Sequence, residues 1–241
     1  MSNAPQSNSQ STCTDACVRT VLHEIDGSIR FPALFFVVSA ILWLVVGTAL
    51  TLITALQSYQ PGSMSGCEFV TYGRLYPAAV NAMLFGWGCN VIFAVALWIM
   101  ARLSLAPIRS GGLLIVAGLF WNVGVKVGLF GILAGHLNSA EGLELPGYAT
   151  PILLIAYAFI GVWGILAFRA RQGQGVYVSQ WYILGALFWF PWFYTVAEFM
   201  VVWFPARGVV QSITSAWFTG NVQNLWLTPM ALATAYYVIP K

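Results

Sequence analysis

Apolar runs long enough to cross a bilayer alternate with short polar breaks along nearly the whole chain. Six stretches stand out: about Phe31 to Gln57, Leu75 to Leu103, Gly112 to Gly135, Ala149 to Phe168, Val178 to Trp203 and Ser212 to Val238. Each supplies roughly the 20 residues that a helix needs to span a hydrocarbon core of about 30 Å. Strands do not compete, because an open sheet would leave backbone groups unpaired in lipid and the alternation of a barrel is missing. The pattern predicts an all-α, polytopic membrane protein with six transmembrane helices. Pro61-Gly62, Pro107, Pro146-Gly147 and the stretch from Gly173 to Gly175 mark the breaks as turns rather than further domains.

Two regions follow from this pattern, a polar cytoplasmic tail over 1–28 and a transmembrane domain over 29–241. Residues 1–14 are rich in Ser, Asn, Gln and Thr, a composition that predicts disorder. They lack the basic segment and short apolar core of a secretory signal. Val18, Val21, Leu22 and Ile25 recur at helical spacing and predict a short interfacial helix ahead of the first span.

Composition reinforces the membrane reading. Of 241 residues, 59% are hydrophobic and 7% charged, too few charges to cover a soluble surface. Arg19, Arg30, Arg102, Arg109, Arg169, Arg171 and Lys241 fall on the side of the N-terminus, against Arg74 and Arg207 on the other. The positive-inside rule then places both termini in the cytoplasm of a cell (inner) membrane protein and the Glu141 to Glu144 loop outside. The net charge of +3 reflects this asymmetry and implies no nucleic acid; the lipid bilayer is the partner that composition implies.

Two ionisable residues lie within the spans. Lys126 belongs to the third, where an ammonium costs about 2.5–3.5 kcal/mol and requires a partner, a cavity or a route to the interface. Glu198 of the fifth span falls at similar depth and is the candidate counter-ion. A structural pair or snorkelling is one reading; a proton or small-molecule path lined by both residues is the other. Gly124, Gly128, Gly131 and Gly135 form small-xxx-small pairs that predict close approach of another helix to the third span.

Metal chemistry finds few donors. His23 and His136 are the only histidines, one in the N-terminal segment and the other at the far end of the third span, so they cannot share a metal. Cys13 and Cys17 are spaced one residue too far for a haem-attachment or zinc motif, and Cys67 and Cys89 differ in depth. Trp43, Trp98, Trp181, Trp203, Trp217, Tyr236 and Tyr237 sit near span ends, as interfacial belts do.

More specific is the run from Tyr72 to Asn90, Tyr-Gly-Arg-Leu-Tyr-Pro-Ala-Ala-Val-Asn-Ala-Met-Leu-Phe-Gly-Trp-Gly-Cys-Asn. It resembles the second helix of subunit I of the cbb-type (C-family) haem-copper cytochrome c oxidases, approximately Phe-Gly-Arg-Leu-Arg-Pro-Leu-His-Thr-Asn-Ala-Val-Ile-Phe. The last segment, Ala216 to Lys241, resembles the family's sixth helix and keeps Asn221, Leu227, Thr228, Tyr236, Tyr237, Pro240 and Lys241. The resemblance places the axial histidine of low-spin haem b at Ala79 and a copper histidine at Gly220, and neither residue can ligate a metal. It also sets Arg74 as a haem-propionate contact, with the second basic residue of that motif replaced by Tyr76. Gly86 and Gly88 could admit a macrocycle or a packed helix.

The resemblance covers nearly the whole chain but about half of a family subunit, whose remaining histidine ligands would lie beyond Lys241. It implies no cofactor on this chain alone, with haem b only if a partner supplies ligands. Other membrane subunits of a respiratory complex are the implied partners. Three functions are open: a non-catalytic structural or assembly component of a respiratory electron-transport complex, the front half of a split or longer oxidase, or a carrier using Lys126 and Glu198. Whether the chain is an enzyme is left undecided by the resemblance.

Overall fold

A computed structural model describes residues 7–61, 66–107, 111–172 and 175–239, with side chains from Thr20 onward. Six long helices follow the hydropathy pattern. They are α1 (Ser7–Tyr59), α2 (Tyr72–Ser104), α3 (Gly111–Ala134), α4 (Thr150–Arg169), α5 (Val178–Trp203) and α6 (residues 209–238). Wide π turns lie within three of them, at Ala82–Gly88 in α2, Phe199–Trp203 in α5 and Val222–Leu227 in α6. In α6, Pro229 lacks the amide that would bond the carbonyl four residues back, and the wide turn directly precedes it.

Among the described residues, α1 to α5 are long and apolar enough to cross a membrane. The sixth expected span exists as a helix of comparable length but falls short in apolarity, because Gln211, Asn221, Gln223 and Asn224 interrupt it. The interfacial helix expected ahead of the first span is not separate. Its residues continue into α1 without a break, and Ile25 and Ile29 are buried against the bundle. Asp26 is held there by Arg102 in the last turn of α2, whose Nε donates to Oδ1 at 2.9 Å and whose Nη2 pairs with Oδ2. Residues 1–6 of the expected disordered tail lie outside the described residues, and the chain is helical from Ser7.

Packing on α3 separates its two faces. A Cβ on Gly124 would sit 2.8 Å from Leu153 Cδ2 of α4, and one on Gly131 would lie 2.5 Å from Pro146. Small residues thus let α4 and the segment before it approach the α3 backbone, the geometry expected of small-xxx-small pairs. The opposite face carries Leu119, Phe120, Val123 and Phe130, all exposed.

The interior between the helices is filled by aromatic rings. Phe36, Phe93, Trp121, Tyr157 and Phe190 form a connected series, with Tyr157 stacked on Phe190 at 4.6 Å between centroids. Trp226 of α6 joins it, 4.8 Å from Phe190, and its indole N–H donates to Tyr157 Oη at 3.1 Å. Rings of this size contribute large buried areas and fix one another's orientation.

Three helices are also cross-linked by polar groups. Trp43 of α1 donates to Asn122 Oδ1 of α3 at 2.6 Å, and Asn90 Nδ2 of α2 donates to the same oxygen at 3.2 Å. Asn122 Nδ2 in turn donates to the Gly118 carbonyl at 2.7 Å. Trp43 can reach this position because Gly86 has no side chain; a Cβ there would sit 2.6 Å from the indole ring.

Candidate functional site

The site suggested by the sequence begins on α2. Ala79 is almost completely buried, and its methyl group borders a groove of about 430 Å³ lined by Thr51 and Thr54 of α1 with Tyr76, Val80, Met83 and Leu84 of α2. Thr51 and Thr54 donate their hydroxyls to carbonyls one turn back in α1, so neither offers a free donor to the groove. Asn81, two residues on, donates to Glu144 Oε2 at 3.0 Å. Glu144, in the loop between α3 and α4, also accepts from the Gly142 backbone N–H at 3.0 Å and is buried.

Arg74 stands at the start of α2 and reaches the C-terminal end of α3. Its Nη1 donates to the Leu133 carbonyl at 3.1 Å, a cation placed where the helix dipole and unpaired carbonyls favour one. Gly135 makes room for it: its φ is +95°, and a Cβ would lie 3.1 Å from Arg74 Nη2. The guanidinium therefore serves as a helix cap, at a distance along the chain from Gly220 and without contact to it.

On α6, Gly220 has open space where a side chain would extend, with no atom within 4 Å of a Cβ position. Asn221 beside it has a buried Nδ2 with no hydrogen-bond partner. Gly86 of α2 packs against Trp43, whereas a Cβ on Gly88 would meet only the Met83 carbonyl of its own helix. The two positions at which the resemblance places ligands are thus a methyl group at a groove and a bare backbone at an open face.

Lys126 and Glu198 are not brought together. Lys126 lies on the exposed face of α3 between Val123 and Phe130, while Glu198 is only 2% exposed inside the bundle. Among the described residues the one ion pair joins Arg102 and Asp26. The expected counter-ion fails for a geometric reason: similar depth does not fix the direction a residue faces around its helix. Glu198 instead faces Tyr194, one turn earlier on α5, and Thr150 at the start of α4. All three groups are buried, and no cation stands beside the carboxyl among the described residues.

The other candidate donors are dispersed. His136 is exposed just beyond α3, its ring 6.3 Å from that of Tyr148. His23 is exposed in α1 one turn from Asp26, which pairs with the opposite end of α2 from Arg74. Cys67 is exposed, Cys89 is buried, and the side chains of Cys13 and Cys17 lie outside the described residues. No three His, Cys, Asp or Glu side chains gather among the described residues. An axial pair of imidazoles for haem or three for copper cannot be assembled from this donor set, so the residues present do not fit either group.

The sequence family described as Cytochrome C and Quinol oxidase polypeptide I matches residues 32–241. This chain belongs to that family. A cytochrome c oxidase subunit 1 homolog of Azorhizobium caulinodans is 27% identical over 217 residues, covering 84% of this chain and 38% of the relative. A bacteroid homolog of the same subunit from Bradyrhizobium diazoefficiens is 26% identical, covering 90% and 42%. A cbb3-type cytochrome c oxidase subunit of Stutzerimonas stutzeri is 24% identical, covering 86% and 45%. The resemblance to the cbb-type oxidases carried by Tyr72 to Asn90 and Ala216 to Lys241 is therefore borne out over most of the chain, which spans less than half the length of these relatives. It is a multi-pass, oxidase polypeptide I-like helical membrane protein.

Proposed function

We propose that this oxidase polypeptide I-like chain is a non-catalytic structural or assembly component of a respiratory electron-transport complex in the cell membrane, with both termini cytoplasmic. The observation that carries this reading is Ala79, a buried methyl group where the family resemblance requires an imidazole. The rest of the bundle is well ordered inside this chain. Its helices are closely packed through Gly86 and Gly124, its polar groups at Asn90 and Asn122 are paired, and its interior is occupied by rings. No electron-transfer step is assigned to the chain, because the residues present cannot hold the metal that such a step uses.

Association is tested by tagging the chain in its native membrane and separating complexes on a native gel. The reading expects the chain to co-migrate with haem-bearing subunits and the complex to decline when the chain is deleted. Migration alone, with respiratory complexes unchanged by deletion, contradicts it. Labelling of cysteines placed at Ser139 and Gly173 tests the orientation, with Ser139 expected outside and Gly173 inside.

A second reading is favoured by one observation. Gly220 faces open space, as expected of a face that a further part of an oxidase bundle would cover. On this reading the chain is the front half of a split or longer oxidase. Co-purification with a second polypeptide bearing paired histidines on an apolar helix distinguishes it. A carrier built on Lys126 and Glu198 is not advanced, since the two residues do not share a path.

A further inference from the structure

We infer that the outward face of α3 around Lys126 is a docking surface for a transmembrane helix of another polypeptide, one that presents a carboxylate at the depth of the lysine. This rests on the proposed role as a complex component and names the chemistry of the contact. The face is continuous: Val116, Phe120, Val123, Lys126 and Phe130 recur at intervals of three and four residues and are all exposed. The other face of α3 is already taken by α4 through its glycines.

Lys126 is the one polar member of this stripe, and lipid is a poor environment for it. It lies eight residues before the end of α3 at Ala134, or about 12 Å along the axis. A lysine stem covers about half that distance, and its Cα–Cβ bond tilts the other way, toward Gly111, which lies about 22 Å off. Snorkelling therefore works against the geometry at the near end and falls short at the far one. A carboxylate across a helix interface satisfies the ammonium without moving it, and a charge left in hydrocarbon costs about 2.5–3.5 kcal/mol on insertion scales.

A second copy of this chain cannot supply that carboxylate. Glu24 and Asp26 lie in α1 before the expected first span, and Glu68, Glu141 and Glu144 lie in connections. Glu198 is buried, and Asp15 belongs to the polar tail. None of the acidic residues in this sequence is placed to supply it, and a carboxylate on a partner helix adds register and partner choice to an otherwise apolar contact.

The test uses the full chain in its native membranes. Dicyclohexylcarbodiimide, which partitions into apolar regions, joins an amine to an adjacent carboxylate, and mass spectrometry locates the linked peptides. The expected product joins Lys126 to an Asp or Glu within an apolar helix of a different polypeptide. In parallel, Lys126→Met should lower co-migration of that polypeptide roughly tenfold or more, with Lys126→Arg retaining it. A link to another copy of the chain overturns the proposal. So does an unchanged complex with Lys126→Met and no link at Lys126, the result for an ammonium that contacts only lipid phosphate or bilayer. That second result leaves the complex-component reading standing, whereas a wild-type chain that migrates alone removes both.

Discussion

Two buried polar clusters, one among α1, α2 and α3 and one where α4 meets α5, differ in how their groups are paired. On the side of α1, α2 and α3, Trp43, Asn90 and Asn122 hydrogen-bond to one another and to the Gly118 and Gly86 carbonyls. Where α4 meets α5, Glu198 is buried beside Tyr194 and Thr150 with no cation to pair with among the described residues, and Gln57 Oε1 on α1 and Asn221 Nδ2 on α6 are buried without a hydrogen-bond partner. The glycines follow the same division. Gly86 is pressed by Trp43, while Gly220 faces open space. Polar groups in a dry interior are costly unless paired, so the Trp43, Asn90 and Asn122 cluster is the more stabilising of the two.

The largest expected difference between the sides comes from adding one methyl group to each glycine. Gly86→Ala should destabilise the detergent-solubilised protein by about 1–3 kcal/mol, because Trp43 is held by Asn122 and cannot swing aside. Gly220→Ala meets nothing and gains up to about 1 kcal/mol of helix propensity. Thermal unfolding of the two variants should therefore shift in opposite directions. Equal losses would erase the distinction.

A smaller contrast lies in the polar groups themselves. Asn122→Ala leaves the Trp43 N–H and the Asn90 amide short of a partner, and should cost about 1–2 kcal/mol on the scale of interhelical hydrogen bonds in membranes. Glu198→Gln keeps the shape of the side chain and its ability to hydrogen-bond Tyr194 and Thr150 while removing an ionisable group from a buried position with no counter-ion among the described residues, so it should leave stability unchanged or raised. A strong loss with Glu198→Gln would show that the carboxylate has a partner that its geometry does not reveal.

Smallest of the three is the effect of the clamp between Asp26 and Arg102. Both side chains are partly exposed, at 37% and 25%, and Asp26→Asn should cost less than about 1 kcal/mol, decreasing with salt. Arg102 also lies over the Trp98 ring, 5.2 Å from its centroid, a contact that survives the substitution.

Hydropathy locates these helices well because the lipid demand for about 20 apolar residues is local and needs no partner. It also marks the glycine face of α3, since only small residues permit the approach of Leu153 and Pro146. It cannot give the direction of a residue around a helix relative to its neighbours. That is why Lys126 and Glu198 look like a pair along the sequence and face apart in the bundle. Glu144 lies in the loop that the sequence indicates, but its burial is not legible there, because it depends on the carboxylate meeting Asn81 and the Gly142 amide. Asn90 and Asn122 carry no local signal, because each becomes significant only when three helices place it beside the other and Trp43. Arg74 looks like a propionate contact from its motif, and its bond to the end of α3 could not be foreseen without knowing which helix ends beside it.

A packed helical bundle of the oxidase polypeptide I family holds Ala79 and Gly220 at the positions where the resemblance places ligands. The most direct test of this account is the haem and copper content of the chain after dissociation from any co-purified subunits, read from the reduced optical spectrum and from metal analysis. No b-type Soret band and no stoichiometric copper on the separated chain is the expected result. One haem retained per chain would contradict the account, since it would require axial donors that the described side chains do not bring together.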